Sequence, residues 1–445
     1  MLRPNYSRLG QLFASLLFSL LVFNVNLTTL HAQEPTTDAA PTDAAPSEAA
    51  PAESPTPAEA APAEPALTVT PFVVPAGTDQ LTLEGKILYF EDPEGKLHIS
   101  EVSADDFQSK FKPTPDPVPN FGFSTSAYWL RVDIANQSET MLWVLEASYA
   151  ALDDVQLYQK SAEGDFKKQQ AGDNVPFAGR YWPHRYSNFS VEIWEGDTAP
   201  IYLRIQTDGS VKIPLSLYSE RAFGTKSMDE LFTLGLYFGV ILVMIVFTAF
   251  LFIPLRDSTY LHYIGFLLCF SLFMASLNGL AFQKLWPETP PLNNATLLVY
   301  LFGLAFFGAE FTRRFNECET YLPKLNRVLQ LLGTLGLIMA VAQFVLPYSK
   351  MVKVGVVLVV VFCAMVIVTG VMAIKAGYRP ARFFLIAWFC FMAGAIVYAL
   401  ALAGQAPVNA LTENGVLIGS AMEVTLLALA LVDRFQFQFE ANNNA

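Results

Sequence analysis

No cysteine precedes Cys269, so the first half of the chain can form no disulfide even in an oxidising compartment. The four cysteines present (Cys269, Cys318, Cys363, Cys390) and the four histidines (His31, His98, His184, His262) follow no metal-ligand spacing, so no metal and no cofactor is expected. Charge is scarce as well, at 15% of residues against about 25% in an ordinary soluble domain. Acidic residues outnumber basic ones by 40 to 28, and with no surplus to neutralise phosphates, nucleic acid is excluded as a partner. A phosphate-binding glycine loop is missing, as is any Ser-His or Cys-His pair in a catalytic context, so no catalytic residue and no enzyme activity are expected.

What the chain has instead is apolar residues, 53% of the total, and they are segregated. Residues 1–32 read as a signal peptide: Arg3 and Arg8 precede an apolar stretch from Leu12 to Leu30, and Ala32 offers a cleavage position before Gln33. Leu30 is large for the position it would occupy, so an uncleaved anchor stays open, and either form exports the chain beyond Gln33. Residues 33–66 repeat Ala and Pro and carry Glu34, Asp38, Asp43, Glu48, Glu53, Glu59 and Glu64 without a single Lys or Arg. Such a segment buries no core and reads as a solvated, Pro-stiffened linker that accounts for more than half of the net charge of −12.

Residues 67–225 read as an all-β sandwich or jelly roll. In Ala127–Asn136 the residues Tyr128, Leu130, Val132 and Ile134 share one face while Trp129, Arg131 and Asp133 share the other. Similar alternation recurs at 141–147, 155–158, 188–194, 201–206 and 211–218, with turn signals such as Glu163-Gly164-Asp165 and Asp208-Gly209 between. Residues 226–435 hold seven apolar runs near 231–254, 259–282, 294–312, 326–346, 351–374, 382–403 and 412–432, each long enough to cross about 30 Å of hydrocarbon. The fold class expected is therefore an all-β domain followed by an all-α seven-helix transmembrane bundle. With the β-domain outside, nine basic residues fall in inner loops (Arg256, Arg313, Arg314, Lys324, Arg327, Lys375, Arg379, Arg382, Arg434) against Lys284, Lys350 and Lys353 outside. This places a multi-pass protein in a membrane with the β-domain outside and the tail, 436–445, cytoplasmic.

Several residues stand out from this frame. Trp129 and Arg131 on the polar strand face, and Arg180, Tyr181 and Trp182 in a loop with His184 and Arg185 close behind, are candidate contacts for a sugar or other small polar ligand, sandwich core being the alternative for the aromatics. Glu423 lies within the last span, where a carboxylate costs about 2.5–3.5 kcal/mol and must face the bundle. With Asp433 and Arg434 at the helix exit it is a candidate for coupling helix motion, a static interhelical contact being the alternative. Glu310 precedes Arg313 and Arg314 by one turn and reads as their ion-pair partner. Gly235 and Gly239 have the spacing that permits close helix approach, and a homodimer is compatible with the sequence.

These motifs, in order, resemble the bacterial seven-transmembrane receptors with diverse intracellular signalling modules (7TMR-DISM). The strand Ser126-Ala127-Tyr128-Trp129-Leu130-Arg131 is similar to the family's Tyr-Trp-Leu-Arg strand. Asp153 to Tyr158, Ala171-Gly172-Asp173, Pro176-Phe177 with Arg180, and Ile201-Tyr202-Leu203-Arg204 follow in the order of its type-two extracellular domain, a carbohydrate-binding-like jelly roll. In the membrane half the resemblance lies in Asp257 with Tyr260 and Tyr263, in Pro380-Ala381-Arg382, and in the closing run from Gly419-Ser420 through Glu423 to Asp433-Arg434. It implies a receptor of the bacterial inner membrane, its β-domain periplasmic, that binds a periplasmic small molecule or glycan and signals across the bilayer. Family members continue from Asp-Arg into a kinase, cyclase or phosphatase, whereas this chain ends at Ala445, so a cytoplasmic signalling protein acting in trans is expected. A membrane-tethered glycan-binding protein and a transporter subunit are the two other readings.

Overall fold

The computed structural model describes residues 70–161, 164–402 and 410–443. The expected signal peptide and acidic linker lie outside the described residues.

The outer domain is a β-sandwich. Its larger sheet runs in the spatial order Lys112–Pro113, Leu88–Asp92, Ala127–Asn136, Thr198–Gln206, Asp154–Lys160, Phe166–Ala171, with Phe72–Val74 added in parallel to the end of Ala127–Asn136. The opposing sheet runs Ser187–Glu192, Leu142–Ala147, Leu215–Ser219, Gln80–Leu83. The expected alternation decides what lies between them: Tyr128, Leu130, Val132 and Ile134 meet Trp143, Leu145, Phe189, Val191, Leu215 and Leu217 in one core. The single strand expected at 211–218 is broken into Ser210–Lys212 and Leu215–Ser219. Pro214, which has no N–H for a ladder bond, stands at the break.

Among the described residues, seven helices long and apolar enough to cross a membrane come next. They are α1 (Glu220–Leu255), α2 (Ser258–Leu277), α3 (Pro290–Phe315), α4 (Pro323–Ala342), α5 (Tyr348–Lys375), α6 (Ala381–Leu402) and α7 (Gly415–Asn443). The last strand of the outer domain runs straight into α1. Ser219 ends the strand, and its Oγ accepts the Ala222 N–H at 3.2 Å to cap the helix. At 36 residues α1 is about 54 Å long, so several turns rise above the hydrocarbon. The second span stops at Leu277, short of the expected 282, because Gly279 turns left-handed and lies against the Arg185 carbonyl, 2.8 Å from where a Cβ would stand. A short turn, Leu280–Lys284, then leads toward α3.

The close helix crossing is not at Gly235 and Gly239, which have no neighbour where a Cβ would point. The tightest one among the described residues lies where α6 meets α7. A Cβ on Gly394 would collide with the Gly415 carbonyl, and one on Gly419 would stand 2.9 Å from the Cys390 carbonyl. Backbone therefore touches backbone, which only small residues permit. Gly419→Val is expected to destabilise the bundle by about 1–3 kcal/mol through overpacking, while Gly235→Ala leaves it unchanged. Thermal melting of the purified protein in one detergent checks both.

Candidate functional site

Two polar clusters sit at opposite ends of the bundle. The outer one begins on the strand Leu142–Ala147. Trp143, Leu145 and Ala147 point into the sandwich core, so Val144 and Glu146 point the other way, toward α1. Glu146 is fully buried there. Its carboxylate takes Lys226 Nζ at 2.8 and 3.0 Å and the Ser148 hydroxyl at 2.7 Å. Lys226 also lies 2.8 Å from Glu230, one helical turn further along α1. His184 stands between the two acids, with Nδ1 3.3 Å from Glu146 and Nε2 3.0 Å from Glu230. Arg185 completes the set, donating to Glu230 at 2.9 and 3.2 Å and to the Asn278 carbonyl at the end of α2 at 3.3 Å.

The cluster thus ties a strand, a loop and two helices together with balanced charge. Burial works to raise the Glu146 carboxyl, but the hydrogen bond from His184 and the charge of Lys226 outweigh it and hold the group below the usual carboxylate range. Breaking such a set from one side leaves a buried charge without a partner, at about 3–5 kcal/mol.

The loop from Gly172 to Tyr186 is clamped to the same end of the bundle. Arg180 is buried and donates to the carbonyls of Arg185 at 2.7 Å, His184 at 2.8 Å and Gly172 at 3.2 Å. Its guanidinium lies 4.4 Å from the Phe177 ring and 5.4 Å from that of Phe282, in the turn between α2 and α3. Gln283 donates to the Pro183 carbonyl at 2.7 Å, and Asn293 of α3 donates to Asp173 at 3.2 Å. Burial, with Asp153 beside it, pushes the Asp173 carboxyl well above its usual range.

The five residues expected to contact a ligand do not share a face. Trp129 is fully buried, packed with Val102, Phe107 and Phe111 of the segment that covers the outside of the larger sheet. Arg131 beside it is held by Asp133 at 2.9 Å and by Gln108. Arg180 is taken up by the loop clamp, and Trp182 lies edge-on to Phe223 at the root of α1, 5.8 Å between ring centres. Tyr181 is partly exposed and donates to Glu220 at 2.6 Å. Aromatic and arginine composition in a loop suits an interface as well as a sugar, and here it forms the interface with the bundle. Sequence reasoning does not single out Glu146, Lys226 and Glu230; the four-residue spacing of Lys226 and Glu230 is the only signal there.

At the other end, Arg434 of α7 is buried and lies 2.8 Å from Asp257, the residue that joins α1 to α2. Asp257 also caps α2, accepting the Thr259 N–H at 2.8 Å. Tyr378, from the α5–α6 connection, is buried with its ring 5.8 Å from Phe437, one turn past Arg434. The end of α7 is thereby fixed to two interhelical connections. Asp433, its neighbour, has no ion-pair partner among the described residues. Within the bundle Glu423 is buried, with Oε1 lacking a hydrogen-bond partner among the described residues. Tyrosines of α1 and α2 grip α7 on either side of it: Tyr237 reaches Ser420 at 3.1 Å, and Tyr263 donates to the Val424 carbonyl at 2.8 Å. Glu310 lies 2.8 Å from Arg313 and 3.2 Å from Arg314, the ion pairing its spacing suggests.

A β-sandwich locked onto seven apolar helices, with polar ties at both ends, is the architecture of a multi-pass membrane protein that carries a folded domain beyond its helices. Residues 84–219 match the family model described as 7TMR-DISM extracellular 2, and residues 230–434 match that described as 7TM diverse intracellular signalling. The chain belongs to the 7TMR-DISM receptors. No curated protein matches it.

The junction generates a pH prediction. Because the folded Glu146 carboxyl titrates below its unfolded value of about 4.3, its contribution is complete above that pH and is lost as pH falls through the lower folded value. Glu146→Gln is expected to weaken the protein at pH 7 and to flatten the acid limb of its melting profile. Lys226→Met, which strands the carboxylate, is expected to cost more than Glu146→Gln. Melting curves of the full chain between pH 3 and 7 test the order.

Proposed function

We propose that the protein is a sensor of the bacterial inner membrane whose periplasmic domain binds a small polar, carbohydrate-like ligand. The altered fit of that domain on the bundle is passed through the helices to a cytoplasmic signalling protein. The observation that carries this reading is the outer junction. The strand Leu215–Ser219 continues into α1 without a linker, and Glu146, Lys226 and Glu230 bind sheet to helix, so a shift in the sandwich moves α1 directly. The exit is α7, whose far end depends on Arg434 and Asp257. A ligand switches such a device only by favouring one arrangement over the other.

For the ligand itself, Trp194 offers an open ring: it is 63% exposed, more than any other aromatic of the outer domain. Indole faces stack on the apolar faces of sugars, and Met141, whose carbonyl accepts from the N–H of Ile193 next to Trp194, is exposed as well. On this reading the chain relays and does not catalyse.

Crosslinking through the C-terminal segment in native membranes, followed by mass spectrometry, tests the relay. A kinase, cyclase or adaptor is expected among the captured proteins, with recovery reduced several-fold in Arg434→Ala. Capture of envelope proteins alone, unaffected by Arg434→Ala, would instead support a tethered glycan-binding protein.

A further inference from the structure

The loop clamped to the outer end of the bundle begins with two acids brought face to face. Asp154–Lys160 and Phe166–Ala171 pair with Val155 opposite Ala171, a register that two residues further on sets Asp153 against Asp173. The chain stays joined past the ladder. The Asp173 N–H donates to the Leu152 carbonyl at 2.8 Å and the Asn174 N–H to the Asp153 carbonyl at 3.0 Å. A Cβ on Gly172 would collide with that same Asp153 carbonyl, so the two backbones are already in contact. Like charges set opposite each other on paired strands repel, and this backbone leaves them little room to separate.

Asp173 is only 3% exposed. Its Oδ2 accepts from Nδ2 of Asn293 on α3 at 3.2 Å. No N–H or hydroxyl among the described residues reaches Oδ1, and the group's other hydrogen-bond partner is the Asp153 carboxyl. Two ionised carboxylates can only accept, so that bond requires a proton on one of them. Asp153 is half-buried and already takes the Asp208 N–H at 2.6 Å, which suits it to the anionic role and leaves the proton to Asp173. Arg180, the base whose charge acts on Asp173, has both terminal nitrogens committed to carbonyls. Tyr149 and, at the head of α5, Tyr348 face the pair as phenols; Tyr398 of α6 faces Tyr149, and Asp208 adds a third acid beside Tyr348. Calcium would need about six to eight oxygens, and no three metal-ligating side chains come together among the described residues. A proton is the cation that fits.

We propose that Asp153 and Asp173 form a proton switch in the outer junction: one shared proton holds the loop on α3, and its loss to water releases the loop. The junction then answers to the pH on the side of the membrane that bears the β-domain. With the proton in place, Asp173 donates to Asp153 and accepts from Asn293. Without it, two negative groups meet where water does not reach, and Asp173 gains solvent only by leaving Asn293. Folded Asp173 titrates above its unfolded value of about 3.9. Its contribution to stability is therefore greatest below that pH, declines as pH rises toward the folded value, and is level above it. The sign is opposite to that of Glu146, whose contribution is lost as pH falls. The switch requires neither the carbohydrate-like ligand nor the cytoplasmic partner.

Hydrogen exchange of the full chain in lipid nanodiscs between about pH 5 and 9, corrected for the intrinsic pH dependence of exchange, tests it. Protection of residues 172–186 is expected to fall about five-fold or more as pH rises. In Asp173→Asn the amide donates to Asp153 and accepts from Asn293 without titrating, so protection is expected to stay within about two-fold of its low-pH level. Asp153→Asn is expected to remove the fall as well, because Asp173 then ionises between two amides. Wild-type protection that does not change with pH would overturn the proposal. So would a fall that persists in either folded variant, since His184 of the same loop would then be the titrating group.

Discussion

Everything about the arrangement of this receptor depends on a handful of charges that have been taken out of water together. Glu146 is buried on the outward face of a sheet, a position that would be untenable alone. It is tolerable because Lys226 reaches it from the first helix and His184 from the loop, while Glu230 and Arg185 neutralise what remains. The cluster is thus more a device for specifying one orientation than a source of large stability, since replacing buried ion sets by apolar residues is often neutral. A sandwich resting on apolar contacts alone would find many nearly equivalent seats on the bundle. One that must satisfy two acids and three bases finds far fewer.

The two ends of the bundle use the same chemistry for different tasks. At the outer end the ties run between the β-domain and α1 and α2, and the loop clamp of Arg180 adds the α2–α3 turn. At the far end the Arg434–Asp257 pair holds α7 to the α1–α2 connection. Between them α7 is gripped by Tyr237 and Tyr263, one from each of the first two helices. The first two helices, which take hold of the outer domain together with α3 and the α2–α3 turn, are thus also the two whose tyrosines hold α7.

The broad architecture is legible in the sequence because its signals are local. An apolar run of about eighteen or more residues needs no partner to be recognised, and each of the seven expected spans coincides with one of the long apolar helices. The period-two pattern of Tyr128, Leu130, Val132 and Ile134 likewise names the core face of its strand. The site is much less legible because it is made of tertiary contacts. Alternation places Glu146 outward, but nothing in the sequence says that a helix, not water, lies on that side. Lys226 and Glu230 read as an ordinary solvated pair. The loop around Arg180 stands out as special, yet composition does not distinguish a surface that meets sugar from one that meets protein. Glycine spacing carries the same ambiguity: Gly235 and Gly239 look outward, while Gly415 and Gly419, with the same spacing, make the crossing with Gly394.

That crossing has a mechanical consequence. Where side chains separate two helices, they can slide by exchanging rotamers and re-seating in a neighbouring groove. Where backbones touch, as at Gly394, Gly415 and Gly419, there are no side chains to re-seat, and translation along the contact brings larger neighbours into collision. Rotation about the contact point is left as the soft motion. The sixth and seventh helices then behave as a pair of blades on one pin, and a small displacement on one side of the pin becomes an opposite displacement on the other.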